Sequence, residues 1–379
     1  MLQNAYNYFI GLFDPLRNTF VWPGIVEVGK FLGTHLISGM IPAFFIAGAI
    51  SIFLDKQRIT KLMGANANPL ISYPVAALSG GILTVCSCGV IPIFTGILQQ
   101  GAGIGPAFTF LMASPAVNLI ALTYTYSLLG TKYMFWRAGL VFFSSIFIGL
   151  GMRALCTQPE EHSQPATAVI IVEEDDDNER SDTQLLIFFM LLILIMVTST
   201  GVLDPVIARL ASPFGYENLL VPRLITILIE ISITAFFTRK WFHKYEIILW
   251  LKKSQSLFYM IFPKVLGGIF LCGIIAVALP LTRFISYFDA NNVQGNLLAS
   301  ALGSMMYFGT IVGVTIVSTL KGFGMNDGPA MTLLLSAPAV SLPSILALVP
   351  IVGTRKAVVF LTLVIIFSAL SGLIFGMTF

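Results

Sequence analysis

Charge is scarce in this 379-residue chain. Asp, Glu, Lys and Arg make up 10% of it, where a soluble domain carries about 25%. Between Lys61 and Lys132 there is no acid, base or histidine at all. A soluble fold would need polar faces over such a length, so the scarcity excludes an ordinary water-soluble domain. Cysteines number four (Cys86, Cys88, Cys156, Cys272), too few and too irregularly spaced for a disulfide framework. The sequence contains no H-E-x-x-H, no Walker A motif and no G-x-S-x-G. Zincin-type proteolysis, ATP hydrolysis within this chain and hydrolase chemistry of the nucleophile-elbow type are therefore not expected, and the chain reads as no enzyme and as needing no cofactor. The segment before Arg17 lacks a basic start followed by a small-residue cleavage site, so no removable signal peptide is expected. The period-2 alternation of a membrane barrel is also missing.

Apolar residues fill the chain instead, at 56% with a mean hydropathy of +0.89. Apolar runs fall at about 33–54, 70–98, 106–128, 136–155, 184–203, 219–238, 256–281, 295–320, 328–350 and 356–377. A bilayer core about 30 Å thick takes about 20 such residues per helical crossing, and backbone in lipid must satisfy its own hydrogen bonds. The expected fold is an all-α, polytopic helical membrane protein with eight to ten transmembrane segments and a lipid bilayer as its partner. Net charge is +3, with nine acids and one base packed into 157–183. The bases elsewhere gather at the ends of apolar runs, which suits a multi-pass protein of the cell (inner) membrane and gives no reason to invoke nucleic acid. The expected organisation is an interfacial lead-in at 1–32, a first membrane repeat at 33–156 and an acidic flexible linker at 157–183. Connecting helices with a basic interfacial segment follow at 184–255, then a second membrane repeat at 256–379.

The two repeats are visible by inspection. Shifted by 223 residues, Gly101–Leu119 falls on Gly324–Leu342 without a gap, and 10 of 19 positions are identical. The matches include Gly105-Pro106-Ala107 on Gly328-Pro329-Ala330 and Pro115-Ala116-Val117 on Pro338-Ala339-Val340. Duplicated membrane domains with discontinuous helices are characteristic of transporters that bind substrate at the repeat interface. The loop charges favour inverted repeats, the count of segments between equivalent helices favours parallel ones, and both orientations stay open at this point.

Three groups of residues have the chemistry for a site. Cys86-Ser87-Cys88-Gly89, followed by Pro92, lies inside an apolar run. Thiols two positions apart point away from each other on a regular helix, but converge if the helix unwinds there. They would then form a soft site for a metal or trivalent metalloid, or simply pack as small residues. Ser114-Pro115-Ala116-Val117-Asn118 and its counterpart Ala337-Pro338-Ala339-Val340-Ser341 each put proline inside an apolar helix, with a polar side chain three positions on. Proline removes a backbone donor, so both read as helix breaks lining a shared polar pocket, or as structural kinks. Glu230 is an acid within an apolar run and a candidate proton-coupling group, with pairing to Lys264 as the alternative.

The block Cys86 to Pro92, the glycine-rich turn Gly101 to Gly105 and the block Ala113 to Asn118 together resemble the ArsP-like predicted permease family. The likeness runs through 41–155 and continues more weakly from about 257 to the end. The block Ala337-Pro338-Ala339-Val340-Ser341 departs from the family's usual second block. The resemblance implies a permease without its own ATPase, some of whose relatives are linked to efflux of trivalent organoarsenicals or arsenite. It makes Cys86 and Cys88 the soft-ligand pair, Ser87, Ser114, Pro115 and Asn118 the first part of a binding pocket, and Pro338 and Ser341 the second. A transmembrane thiol–disulfide electron carrier using Cys86 and Cys88 is the rival reading, and a channel is the third.

Overall fold

The computed structural model describes residues 21–34, 40–53, 56–82, 87–117, 119–156, 182–201, 203–204, 207, 209, 220–278, 286–306 and 310–378. Among them the chain is all helical, with no strand. The sixteen helices are α1 (Trp22–Thr34), α2 (Ile41–Phe53), α3 (Lys56–Met63), α4 (Pro69–Ile82), α5 (Ser87–Gln99), α6 (Ile104–Ala116), α7 (Leu119–Leu129) and α8 (Thr131–Cys156), then α9 (Asp182–Ser199), α10 (Leu220–Trp241), α11 (Lys244–Ala278), α12 (Val293–Met305), α13 (Thr310–Gly322), α14 (Asp327–Ala339), α15 (Leu342–Val352) and α16 (Thr354–Thr378).

Four helices, α8, α10, α11 and α16, are long and apolar enough to cross a bilayer singly. Two bent pairs, α6–α7 and α14–α15, raise the candidates to six. The apolar runs at 70–98 and 295–320, each long enough in sequence for a crossing, are divided instead into α4 and α5, and α12 and α13. At 1.5 Å per residue a 13-residue helix spans about 20 Å, short of a crossing. Large apolar side chains such as Phe143, Leu228 and Phe236 are exposed on the outer helices, as lipid contact requires. The basic stretch 239–253 runs through the α10–α11 turn into the 35-residue α11, where Glu246 accepts from the His243 N–H at 2.9 Å.

The short helices form hairpins. α4 runs parallel to α6, because a Cβ on Gly105 would stand 2.9 Å from the Tyr73 ring and one on Gly80 would stand 2.9 Å from the Phe110 carbonyl. α5 runs back to meet α6 at the Gly101 turn, where φ is +89°, and Phe94 packs on Phe108 at 5.1 Å. The Gly103 N–H donates to the Met63 carbonyl at 2.7 Å, so α4 begins where α5 ends. The same arrangement recurs later in the chain. α12 runs parallel to α14, with Thr332 donating to Asn296 at 2.7 Å near their starts and Gly303 against Ser336 near their ends. α13 turns into α14 at Gly324, φ +101°, and the Asn326 N–H donates to the Phe288 carbonyl at 2.7 Å.

The correspondence extends to helix bounds. Moved on by 223 residues, Ser87–Gln99, Ile104–Ala116 and Leu119–Leu129 coincide with α13, α14 and α15. Gly130, φ +89°, falls on Gly353, φ +87°. A Cβ on Gly149 would stand 2.6 Å from the Gly105 carbonyl, and one on Gly372 would stand 2.6 Å from the Gly328 carbonyl. Small residues at these points let helix backbones meet closely without relying on a hydrophobic driving force that lipid cannot supply.

The two sets of helices run in opposite senses. Gly105, at the start of α6, meets Gly149 late in α8. Asp327, at the start of α14, accepts instead from Tyr133 at the start of α8. α8 and α16 are antiparallel: Tyr133 and Trp136 pack on Phe375, and Phe147 stacks on Phe367. α6 and α14 therefore begin on opposite faces of the bundle, called here the near face and the far face.

Candidate functional site

Both bent helices break for the same local reason. Pro115 and Pro338 sit one residue before the ends of α6 and α14, where they still fit the last turn but supply no N–H to it. Val117 then leaves the helix at φ −128°, ψ 69°, with its N–H donating to the Ala113 carbonyl at 3.1 Å. Val340 leaves at φ −140°, ψ 131°, with its N–H donating to the Ser336 carbonyl, also at 3.1 Å. The chain resumes as α7 and α15, each bent by 47°. Ser341 is the N-cap of α15, and its hydroxyl pairs with that of Ser344 at 2.8 Å.

A break in a buried helix leaves carbonyls without partners. At the first break α8 supplies one. Arg137, wholly buried, donates from Nε to the Ala116 carbonyl at 3.2 Å and from Nη1 to Thr125 Oγ1, on α7, at 2.7 Å. No carboxylate pairs with it among the described residues. The end of α4 reaches the same place, since a Cβ on Gly81 would stand 3.3 Å from the Val117 carbonyl. At the second break the position 223 residues beyond Arg137 is Phe360, and that beyond Thr125 is Leu348. There Phe360, Leu348, Ser344 and Val340 line a cavity of about 10 Å³ with Ile91 and Leu111 from the first set. That is room for about one water.

Ser114 and Pro115 are buried in α6, and the Ser114 hydroxyl has no hydrogen-bond partner among the described residues. Pro338 and Ser341 are buried at the second break, where the Ser336 hydroxyl is likewise unpartnered. α6 packs directly on α14, which brings the two proline breaks into one packed pair of helices. Cys86 and Asn118 lie outside the described residues. Ser87 and Cys88 form the first turn of α5. Glu230 is buried between α9 and α10, with one carboxylate oxygen accepting from Thr198 at 2.7 Å and the other unpartnered. α10 packs chiefly on α9, and Glu230 is not brought to either break. Lys264 is exposed and makes no ion pair with it.

Two groups escaped the sequence reading. Arg137 is one; its signal was a base near the start of the 136–155 apolar run, which holds one other, Arg153. The other is a far-face cluster in which Tyr133 donates to Asp327, Lys321 pairs with Asp327, and the Lys321 ammonium lies 4.6 Å over the Tyr133 ring. It ties α8 to α13 and α14.

Helical hairpins entering from opposite faces and paired interrupted helices recur among membrane transporters, and the comparisons with known proteins point to a permease. Residues 24–377 match the family described as predicted permease, ArsP_1. The chain belongs to this permease family. A UPF0718 protein of Methanocaldococcus jannaschii is 35% identical over 376 residues, covering 99% of both chains. A UPF0718 protein of Bacillus subtilis is 30% identical over 107 residues, 28% of this chain and 36% of that one. A Streptococcus mutans protein named as a subunit of a two-component membrane permease complex is 24% identical over 120 residues, 32% of this chain and 36% of its own. No solved structure matches the chain. Membership of the permease family and the set of crossing helices make this a multi-pass membrane protein.

Proposed function

We propose that this permease is a secondary-type carrier of the cell (inner) membrane, a transporter rather than an enzyme, built of two inverted repeats that alternate access to a site between them. The observation that carries the reading is the direct packing of α6 on α14, each interrupted by a buried proline at an equivalent place. Opposite starting faces for α6 and α14 support the inverted relation. The repeats correspond to 33–156 and 256–379, with the acidic stretch 157–183 as a linker between them. Rocking of one repeat against the other would open the seam to one face and then the other.

The substrate is a small solute, and a trivalent (organo)arsenical or another soft metalloid leaving the cell is the species that best uses the thiols. Cys86 and Cys88 are the soft ligands in this reading. Ser87, Ser114, Pro115 and Asn118 line the site from the first break, and Pro338 and Ser341 from the second. The unpartnered Ser114 hydroxyl and the freed backbone at both breaks support a polar lining. Release from the thiols is part of the cycle, so proton exchange at sulfur is the natural coupling step.

The test is a resistance and flux comparison in a transport-deficient strain challenged with trivalent arsenicals, soft metals and unrelated small anions. Wild type should confer resistance that falls at least tenfold in the Cys86→Ser/Cys88→Ser double variant and in Asn118→Ala. Full metalloid resistance in the double variant would end the thiol assignment. A required disulfide cycle in trapped protein would support the electron-carrier alternative instead.

A further inference from the structure

We propose that Arg137 makes the first helix break an anion-binding point, so that among the soft organic metalloids the thiols would take, the transported ones carry a carboxylate or other oxyanion group that is held there. The inference rests on the permease reading, and it names the substrate class for the same seam.

The side chain is wholly buried, on a helix that crosses the bundle, and it has no acidic partner among the described residues. Intramembrane cations without a carboxylate are costly and mark ion or substrate paths. A guanidinium has five N–H donors in a planar fork. Nε and Nη1 engage Ala116 and Thr125, and the fork has the geometry to grip an oxyanion with two parallel bonds.

The bland alternative is that Arg137 only caps the broken end of α6. The second break argues against it. Val117 and Val340 close their helix ends with the same backbone hydrogen bond, 3.1 Å in both cases. The residue at the position equivalent to Arg137 is Phe360, fully buried. The fold makes this break without a cation, so the charge at the first break serves something other than the bend. Its neighbourhood fits that use. The end of α4 at Gly81 meets Val117, one residue past the carbonyl that Arg137 holds.

The experiment measures thermal unfolding of the full chain in detergent, with sodium phosphate, sulfate, acetate and benzoate compared with chloride at equal ionic strength. At least one oxyanion should raise the melting temperature of wild type saturably, by several degrees. The rise should vanish in Arg137→Gln. In Arg137→Lys, which keeps the charge without the fork, the midpoint should move to at least threefold higher concentration. The proposal is overturned if no oxyanion exceeds chloride, or if Arg137→Gln responds like wild type. Should Arg137→Gln fail to fold, Arg137→Lys decides, and an unchanged midpoint overturns the proposal. Flux in proteoliposomes separates this from the permease reading. Saturable flux of arsenite, neutral at pH 7, indifferent to oxyanions and to Arg137→Lys, would keep the permease and remove the anion site. Arg137-dependent anion stabilisation with no flux of any tested solute would do the reverse.

Discussion

Arg137 Nε and the carbonyl of Ala116 are joined at 3.2 Å, which pins the middle of one crossing helix to the point where another stops. Replacing the arginine with methionine leaves that carbonyl and Thr125 without their donor, a loss of about 1–3 kcal/mol. It also removes a buried charge, which offsets part of that loss. Arg137→Met is therefore expected to melt within a few degrees of wild type while its flux falls at least tenfold. Equal proportional losses of stability and flux would mark a purely structural role.

The glycine contacts between α6 and α8, and between α14 and α16, give a stability prediction. A Cβ at Gly149 or Gly372 would meet a facing carbonyl at 2.6 Å, and neither backbone can retreat without parting the helices. Gly149→Ala and Gly372→Ala should each cost about 1–3 kcal/mol. Gly139, on the same α8, has nothing within 4 Å of its Cβ position. Gly139→Ala should be neutral or slightly stabilising, by up to about 1 kcal/mol, because alanine is the better helix former. Thermal melts of the three variants check this, and equal behaviour of Gly139→Ala and Gly149→Ala would contradict the packing described.

The sequence made the helix breaks and the correspondence of their positions readable, because proline and Gly-Pro-Ala punctuate otherwise uniform apolar text. It did not disclose that 70–98 and 295–320 turn back on themselves. Both runs are apolar throughout, and length alone reads them as crossings. Orientation was ambiguous because the loop charges favoured inverted repeats while the count of segments, taking both runs as single crossings, favoured parallel ones. It becomes legible only when Asp327 is found at the start of α8 and Gly105 near its end. Arg137 was overlooked because one base six residues into a long apolar helix resembles an end-of-helix anchor. The informative comparison was with Phe360 at the matching position.

Tyr133, Asp327 and Lys321 tie α8 to α13 and α14 at the far face. Both charged partners are about one-third exposed, at 30% and 34%, so the cluster contributes on the order of 1 kcal/mol or less. That is enough to bias two nearly balanced states. Tyr133→Phe should favour the state open at the far face. Labelling of Ser344→Cys in the seam, by an impermeant maleimide added at that face, should quicken at least threefold. An unchanged rate would remove the cluster from the gating account.

Glu230 sits between α9 and α10, away from both breaks. Glu230→Gln keeps an acceptor for Thr198 and removes the ionisable group. Flux and its dependence on a proton gradient should stay within about twofold of wild type. Loss of gradient dependence with retained substrate binding would make Glu230 the coupling residue.

The central claim is that the two repeats lie upside down relative to each other. Gln99, at the end of α5, and Phe323, just beyond α13, are both exposed and occupy corresponding turns. Single cysteines at these positions, in a background lacking the four native ones, can be labelled with an impermeant maleimide in right-side-out and inverted vesicles. Gln99→Cys and Phe323→Cys should label from opposite sides of the membrane. Labelling of both from the same side would contradict the account.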